Sequence, residues 1–200
     1  MKKISLLVAA FCALFLVTGV AQAQQLDMGF NVGTLFGQSA SSAGPNFTPQ
    51  NMGGGAYLAF KGDFLFFKKY FGAGAQVAWR ASQSVDASFQ PFRPLLYDFN
   101  AVYAPPIGKK AQADLQAGVG VESIRFYQPF FNCTTFGCTN FTSSHHFLGH
   151  FGGGIRYYPM RAVFIAPEVH LYLIRNNFEF SGGRATRVGI TLGYSFKNQD

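Results

Sequence analysis

The chain has 200 residues, a formal net charge of +7, 24 Phe and 23 Gly, and only 12% charged residues. Ordinary soluble domains carry roughly 25% charged residues, so this composition suits a membrane surface better than a solvated globule. It gives no reason to expect a nucleic-acid partner.

The first element is an export signal. Lys2 and Lys3 precede an apolar run from Ile4 to Val20, and Ala21-Gln22-Ala23 has the small-x-small form of a cleavage site. Residues 1–23 are therefore expected to be a signal peptide, removed with Cys12, and residues 24–200 a single domain. After the signal, no run approaches the roughly 20 apolar residues that a spanning helix needs.

Period-two alternation then recurs along the chain. The first candidate strand sets Met28, Phe30, Val32 and Phe36 against Asp27, Gly29, Asn31 and Gly33. The second, weaker in pattern, covers about Gly54 to Lys61. The third sets Phe71, Val77 and Trp79 against Gly72, Gly74, Gln76 and Arg80, and the fourth sets Leu95, Tyr97, Phe99 and Tyr103 against Asp98 and Asn100. In the fifth, Leu115, Ala117, Val119 and Val121 oppose Asp114, Gln116, Gly118, Gly120 and Glu122. The sixth places Phe147, Phe151, Ile155 and Tyr157 opposite His150, Gly152, Gly154 and Arg156. The seventh places Val163, Ile165, Val169, Leu171 and Leu173 opposite Glu168 and His170, with Pro167 on the apolar face, where a bulge or break in pairing is expected. In the last, Val188, Ile190, Leu192, Tyr194 and Phe196 alternate with small or polar residues.

Long gaps (37–53, 81–94, 126–146, 175–183) alternate with short ones (62–69, 105–110, 159–162). That is the arrangement of an outer-membrane barrel with long outside loops, short periplasmic turns and both ends in the periplasm. A lipocalin-like soluble barrel also alternates, but a polar face full of glycine with charges of both signs fits a narrow interior better than a solvated surface. Aromatics near both ends of the apolar face, among them Phe36, Trp79 and Phe147 at one and Tyr103, Tyr157 and Phe196 at the other, match two interfacial girdles. The expected fold is all-β: an eight-stranded antiparallel up-and-down transmembrane barrel.

On these residues the chain resembles the small bacterial outer-membrane β-barrel family typified by the OmpA transmembrane domain and OmpX, over essentially all of Gln24 to Phe196. The segment containing Arg187, Gly189, Leu192 and Tyr194 is similar to the family's C-terminal assembly signal, which the outer-membrane insertion machinery reads. A short tail, Lys197 to Asp200, follows it. The resemblance implies a monomer in the outer membrane, with outer-membrane lipids and lipopolysaccharide as partners and a structural or surface-interaction role through external loops. Alternatives are a lipid-A-modifying enzyme, a small channel and a soluble carrier.

Few residues suggest chemistry. His145, His146 and His150 lack a nearby Cys or acidic partner in sequence, so no metal site is expected, and no cofactor. Ser143-Ser-His-His146 supplies no nameable serine-histidine-acid set, so no catalytic residue is nominated. Gly72-Ala-Gly74 and Gly152-Gly-Gly154 do not complete a dinucleotide motif and instead leave room in a barrel just wide enough for side chains to fill it. Asp98, Asp114, Glu122, Glu168, Arg80 and Arg156 should pair across that lumen, because isolated buried charges are costly. Cys133 and Cys138, the two cysteines left after export, should form a disulfide in the longest loop. The cations divide by side. Lys61, Lys68, Lys69, Lys109, Lys110, Arg161 and Lys197 fall at expected turns or the tail, whereas Arg80, Arg93, Arg125, Arg175 and Arg184 form an outer rim suited to lipopolysaccharide phosphates.

Overall fold

Alternation of apolar and polar residues produces strands whose two faces want different surroundings, and the strands satisfy their backbone by pairing. The computed structural model describes residues 25–37, 52–67, 69–85, 89–134, 137–176 and 183–197. The expected signal segment and Lys68 lie outside the described residues. Eight long strands follow in order: β1 Gln25–Gly37, β2 Ala56–Phe67, β3 Phe71–Arg80, β4 Pro91–Tyr103, β5 Ala111–Thr134, β6 Gly137–Tyr157, β7 Val163–Ile174 and β8 Arg184–Lys197. Each is antiparallel to the next, and β1 pairs β8 from Gln25↔Lys197 to Gly37↔Ala185, which closes the sheet into a barrel. Two short pieces, Ser84–Val85 and Pro106–Gly108, pair with β4 and β5 respectively.

Outside and inside separate as the alternation requires. Phe30, Val32, Phe99, Leu115, Val119, Phe151, Ile190 and Leu192 are exposed on the outer surface, while Asp27, Asn31, Asp98, Asp114, Glu168 and Thr191 are buried within. A surface of this kind is stable against lipid and not against water. Aromatics gather near the turn end of the outer wall, where Phe71 stacks on Tyr103 at 4.4 Å and Tyr194 meets Phe196 at 4.7 Å. Phe36 and Phe147 stand exposed towards the loop end.

Three boundaries depart from the sequence reading. β2 runs on through Lys61, Gly62 and Asp63 to Phe67, because Phe60, Phe64 and Phe66 keep the outward period across the glycine. The expected long loop 126–146 is instead a β-hairpin: β5 and β6 pair to the tip, with a register shift between Tyr127 and Asn132. At Pro167, which has no N–H to give, the β6–β7 ladder passes from Gly154↔Glu168 to Tyr157↔Ile165 with its register unchanged, so the proline interrupts pairing without a bulge.

The lumen is filled in layers. At the loop end Leu35, Tyr57, Phe92, Leu96, Ile124 and Leu148 form an apolar plug. The middle is polar and charged, and towards the turn end Leu65, Val102 and Ala104 form one small apolar cluster and Tyr158, Phe164 and Ala166 another.

Candidate functional site

Two places carry chemistry: the charged lumen and the hairpin with the rim at its base. In the lumen, the Arg156 guanidinium from β6 donates to Asp63 (2.6 Å) from β2, to Asp114 (2.8 and 3.0 Å) from β5, and to Asp27 from β1. Lys61 from β2 donates to Asp114 (2.8 Å) and to Glu168 from β7, and stands 3.8 Å from Asp63. Two cations thus hold four carboxylates, all nearly inaccessible to solvent. Charge burial on this scale is tolerable only when the remaining lone pairs are also satisfied. They are met by Gln25 donating to Asp27 (2.7 and 2.9 Å), Gln116 donating to Asp114 (3.3 Å), and Thr191 from β8 donating to Glu168 (2.5 Å). The cluster ties six of the eight strands together.

A second chain of polar groups continues towards the loop end. His170 Nε2 lies 3.4 Å from Glu168, His170 Nδ1 lies 2.9 Å from His150 Nε2, and His150 Nδ1 lies 2.7 Å from Asn100 Oδ1 and 3.3 Å from Asp98. Asn100 donates to Asp98 (2.5 Å), and Tyr172 stacks on His150 at 5.0 Å while accepting from Gln76. Among the described residues no group of three or more His, Cys, Asp or Glu side chains is placed to hold a metal ion.

The lumen set named from sequence is therefore only partly brought together. Asp114, Arg156 and Glu168 meet in one cluster, and Asp98 pairs with His150. Glu122 is fully buried beside the apolar plug, and Arg80 reaches inward there, its guanidinium lying where a side chain on Gly55 would stand. Neither joins the central cluster. Lys61, expected at a periplasmic turn, is instead a central lumen cation, and Asp63, expected in that same turn, is its neighbour. The glycine of Lys61-Gly62-Asp63 reads as a turn signal, and it hides the even spacing that puts both charges on the inner face.

At the loop end the outer arginines are placed unevenly. Arg93 and Arg125 are directly opposed across the β4–β5 ladder on the outward face. Arg93 reaches the Ala81 carbonyl at 3.5 Å, Arg125 lies 4.9 Å above the Phe141 ring, and Ser143 follows in the same row on β6. Like charges directly opposite one another are destabilising, so the pair suits an anion. Arg175 and Arg184 are exposed at the base of the last loop. Arg80 faces the lumen and leaves the outer rim.

Strand pairing of β5 with β4 ends at Phe126, and that of β6 with β7 ends at Leu148. Beyond these points the hairpin stands on its own ladder for eight residues of β5, roughly 25 Å at a strand rise near 3.3 Å. A Cys133–Cys138 disulfide joins opposed residues at its tip, and Phe130 and Phe131 are 58% and 69% exposed. Closing so short a loop adds little to the stability of the whole barrel; it fixes the tip.

On the inner side of the hairpin base, Ser144 Oγ lies 3.1 Å from His146 Nε2, and Glu122 is His146's partner across the ladder. Sequence alone does not assemble these three, because Glu122 comes from another strand and the register of the pair is not written in either segment. In the C-terminal segment, Arg187 is fully buried and donates to Asn31 (3.2 Å), and Gly189 packs against Asn31 so closely that a Cβ would lie 2.5 Å from its side-chain oxygen. Leu192 and Tyr194 face outward.

No family model and no curated protein matches the chain. Solved structures do. The Neisserial surface protein A (NspA) superposes with a TM-score of 0.64 at 7% identity, over 86% of this chain and 97% of that one. Ail, the attachment invasion locus protein of Yersinia pestis, solved with the heparin analogue sucrose octasulfate, gives 0.57 at 12% identity, over 86% and 99%. The N-terminal β-barrel domain of Pseudomonas aeruginosa OprF gives 0.54 at 12% identity, over 88% and 100%. Identities this low speak for architecture alone, and the architecture agrees along nearly the full length of each. By fold, the chain is a closed eight-stranded barrel of the small outer-membrane kind.

Proposed function

We propose that this is an outer-membrane protein, exported by its signal segment, that acts at the cell surface through the β5–β6 hairpin while arginines at the hairpin's base hold lipopolysaccharide phosphates. The observation that carries the reading is the hairpin itself: a disulfide-closed ladder with exposed aromatics, standing on a barrel whose lumen is packed with side chains. A lumen filled with side chains speaks against an open pore and supports a role at the surface. Arg187, Gly189, Leu192 and Tyr194 would serve the insertion machinery during assembly, and no partner subunit is needed to close the sheet.

Replacing residues 128–140 by a two-residue turn should leave the barrel folded and lower adherence of expressing cells to at least one of a set of polysaccharide- or protein-coated surfaces. Equal adherence on every surface would remove the hairpin's proposed role. For the rim, Arg93→Gln with Arg125→Gln should reduce co-purifying lipopolysaccharide several-fold, because a planar guanidinium grips phosphate in a bidentate fork. Lys109→Gln with Lys110→Gln, at the other end, should not. Equal retention by both double variants contradicts the assignment.

A second reading, hydrolysis of an acyl ester, is favoured by the Ser144–His146 contact with Glu122 opposite, flanked by the apolar Ile124 and Leu148. It predicts that a fluorophosphonate probe labels the folded protein and that Ser144→Ala abolishes labelling. An unlabelled wild-type protein disposes of it.

A further inference from the structure

At the opposite end of the barrel from the hairpin, a cavity of about 720 Å³ opens among the turns. Small-ligand clefts typically measure roughly 300 to 1,000 Å³. Four cations line it from three separate connections: Lys69 between β2 and β3, Lys109 and Lys110 between β4 and β5, and Arg161 between β6 and β7. Among the described residues no Asp or Glu lines it. Polar groups line its inner side: the Tyr158 hydroxyl donates to Gln112 Oε1 (2.9 Å), and Gln112 Nε2 donates to the Ala104 carbonyl (2.5 Å). The Asp27 carboxylate is taken up by Arg156 and by Gln25.

Cations gathered from independent turns repel one another, and solvent-facing turns would let them point apart. One of them is also placed at conformational cost. Lys69 has a φ of 59°, in the left-handed region that a turn normally gives to glycine or asparagine. We propose that this cavity is a binding site for an anion carrying at least two phosphate or carboxylate groups. Arg161 supplies a planar fork and the lysines supply point charges, a combination that holds two neighbouring anionic groups better than one. The cavity opens among the turns, and its proposed occupant comes from solution; a lipid headgroup phosphate is the other source of the same chemistry. The proposal goes beyond the surface role and does not depend on it.

The test uses the full mature chain in phosphatidylcholine nanodiscs, which leave both barrel ends accessible, with pyrophosphate and citrate titrated by calorimetry at low salt. Saturable binding is expected, weakening as salt rises. The variant Lys109→Gln/Lys110→Gln/Arg161→Gln should bind at least about tenfold more weakly, since each lost cation removes a charge-assisted contact. Arg175→Gln/Arg184→Gln, exposed at the base of the last loop and outside the hairpin-base pair, should bind as wild type does. A heat-dependent shift in SDS confirms that each variant is folded. Unchanged pyrophosphate binding in discs containing phosphatidylglycerol identifies solution as the source, and binding abolished there identifies the headgroup. Absence of saturable binding by the wild-type protein in phosphatidylcholine discs, or equal weakening in the cavity variant and the Arg175→Gln/Arg184→Gln control, overturns the proposal.

Discussion

Arg156→Met is expected to destabilise the folded barrel by about 3 to 5 kcal/mol, or to block its assembly, because it strands carboxylates that have no route to water. Arg156 is fully buried and is the group through which Asp27, Asp63 and Asp114 are held together from three strands. Lys61 would remain, but it already serves Asp114 and Glu168. Arg156→Lys should fall between the two, since a single ammonium cannot reach three carboxylates in one plane. Arg161→Met, on the exposed turn that follows, should stay within about 0.5 kcal/mol of wild type. The urea midpoint of the folded fraction in detergent measures all three. A folded Arg156→Met barrel of wild-type stability would mean that the lumen network holds nothing together.

The second large effect is steric. Gly120→Leu should cost about 1 to 3 kcal/mol or more, and Gly118→Leu about as much, through overpacking. A Cβ built on Gly120 would lie 1.8 Å from the Tyr97 carbonyl oxygen, and one on Gly118 would lie 2.0 Å from that of Phe99. Those contacts are with backbone, which cannot step aside as a flexible side chain does. Between them, Val119 points outward and is 54% exposed. Val119→Leu should therefore be nearly silent. The same urea series reads both, and a loss at Val119 equal to that at its two glycine neighbours would contradict the assignment of inside and outside.

Much of this architecture was legible because the side-chain period of a strand is two and survives any error in where the strand ends. β3 matches its expected span, Phe71 to Arg80, and the outward rows of β5 through β8 are those read from alternation. What could not be read depends on pairing between distant segments. That Lys61 meets Glu168, or that Glu122 faces His146, follows from register across the closed sheet, and neither local sequence encodes it. Turn signals also misled where they sat inside strands: Gly62 broke the reading of β2, while the polar, aromatic stretch 126–146 looked like a loop although it forms a hairpin whose ladder, interrupted between Tyr127 and Asn132, resumes up to the disulfide. Charge position was similarly uneven. Arg93 and Arg125, read from sequence only as lying near long loops, oppose each other on the outer wall, whereas Arg80 belongs to the inner face that its place in the alternation already gave it.

The central claim is a sheet closed on itself with an apolar outer wall, and mobility in SDS tests it most directly. With all eight strands paired around the barrel and no helix among the described residues long and apolar enough to cross a membrane, the protein has only closure to satisfy its backbone in lipid. Membranes separated by density should carry the protein in the outer-membrane fraction, and the unboiled sample should keep its fold in SDS and migrate apart from the boiled one. A protein released freely into the soluble fraction, running at one position whether or not it is boiled, would contradict the account.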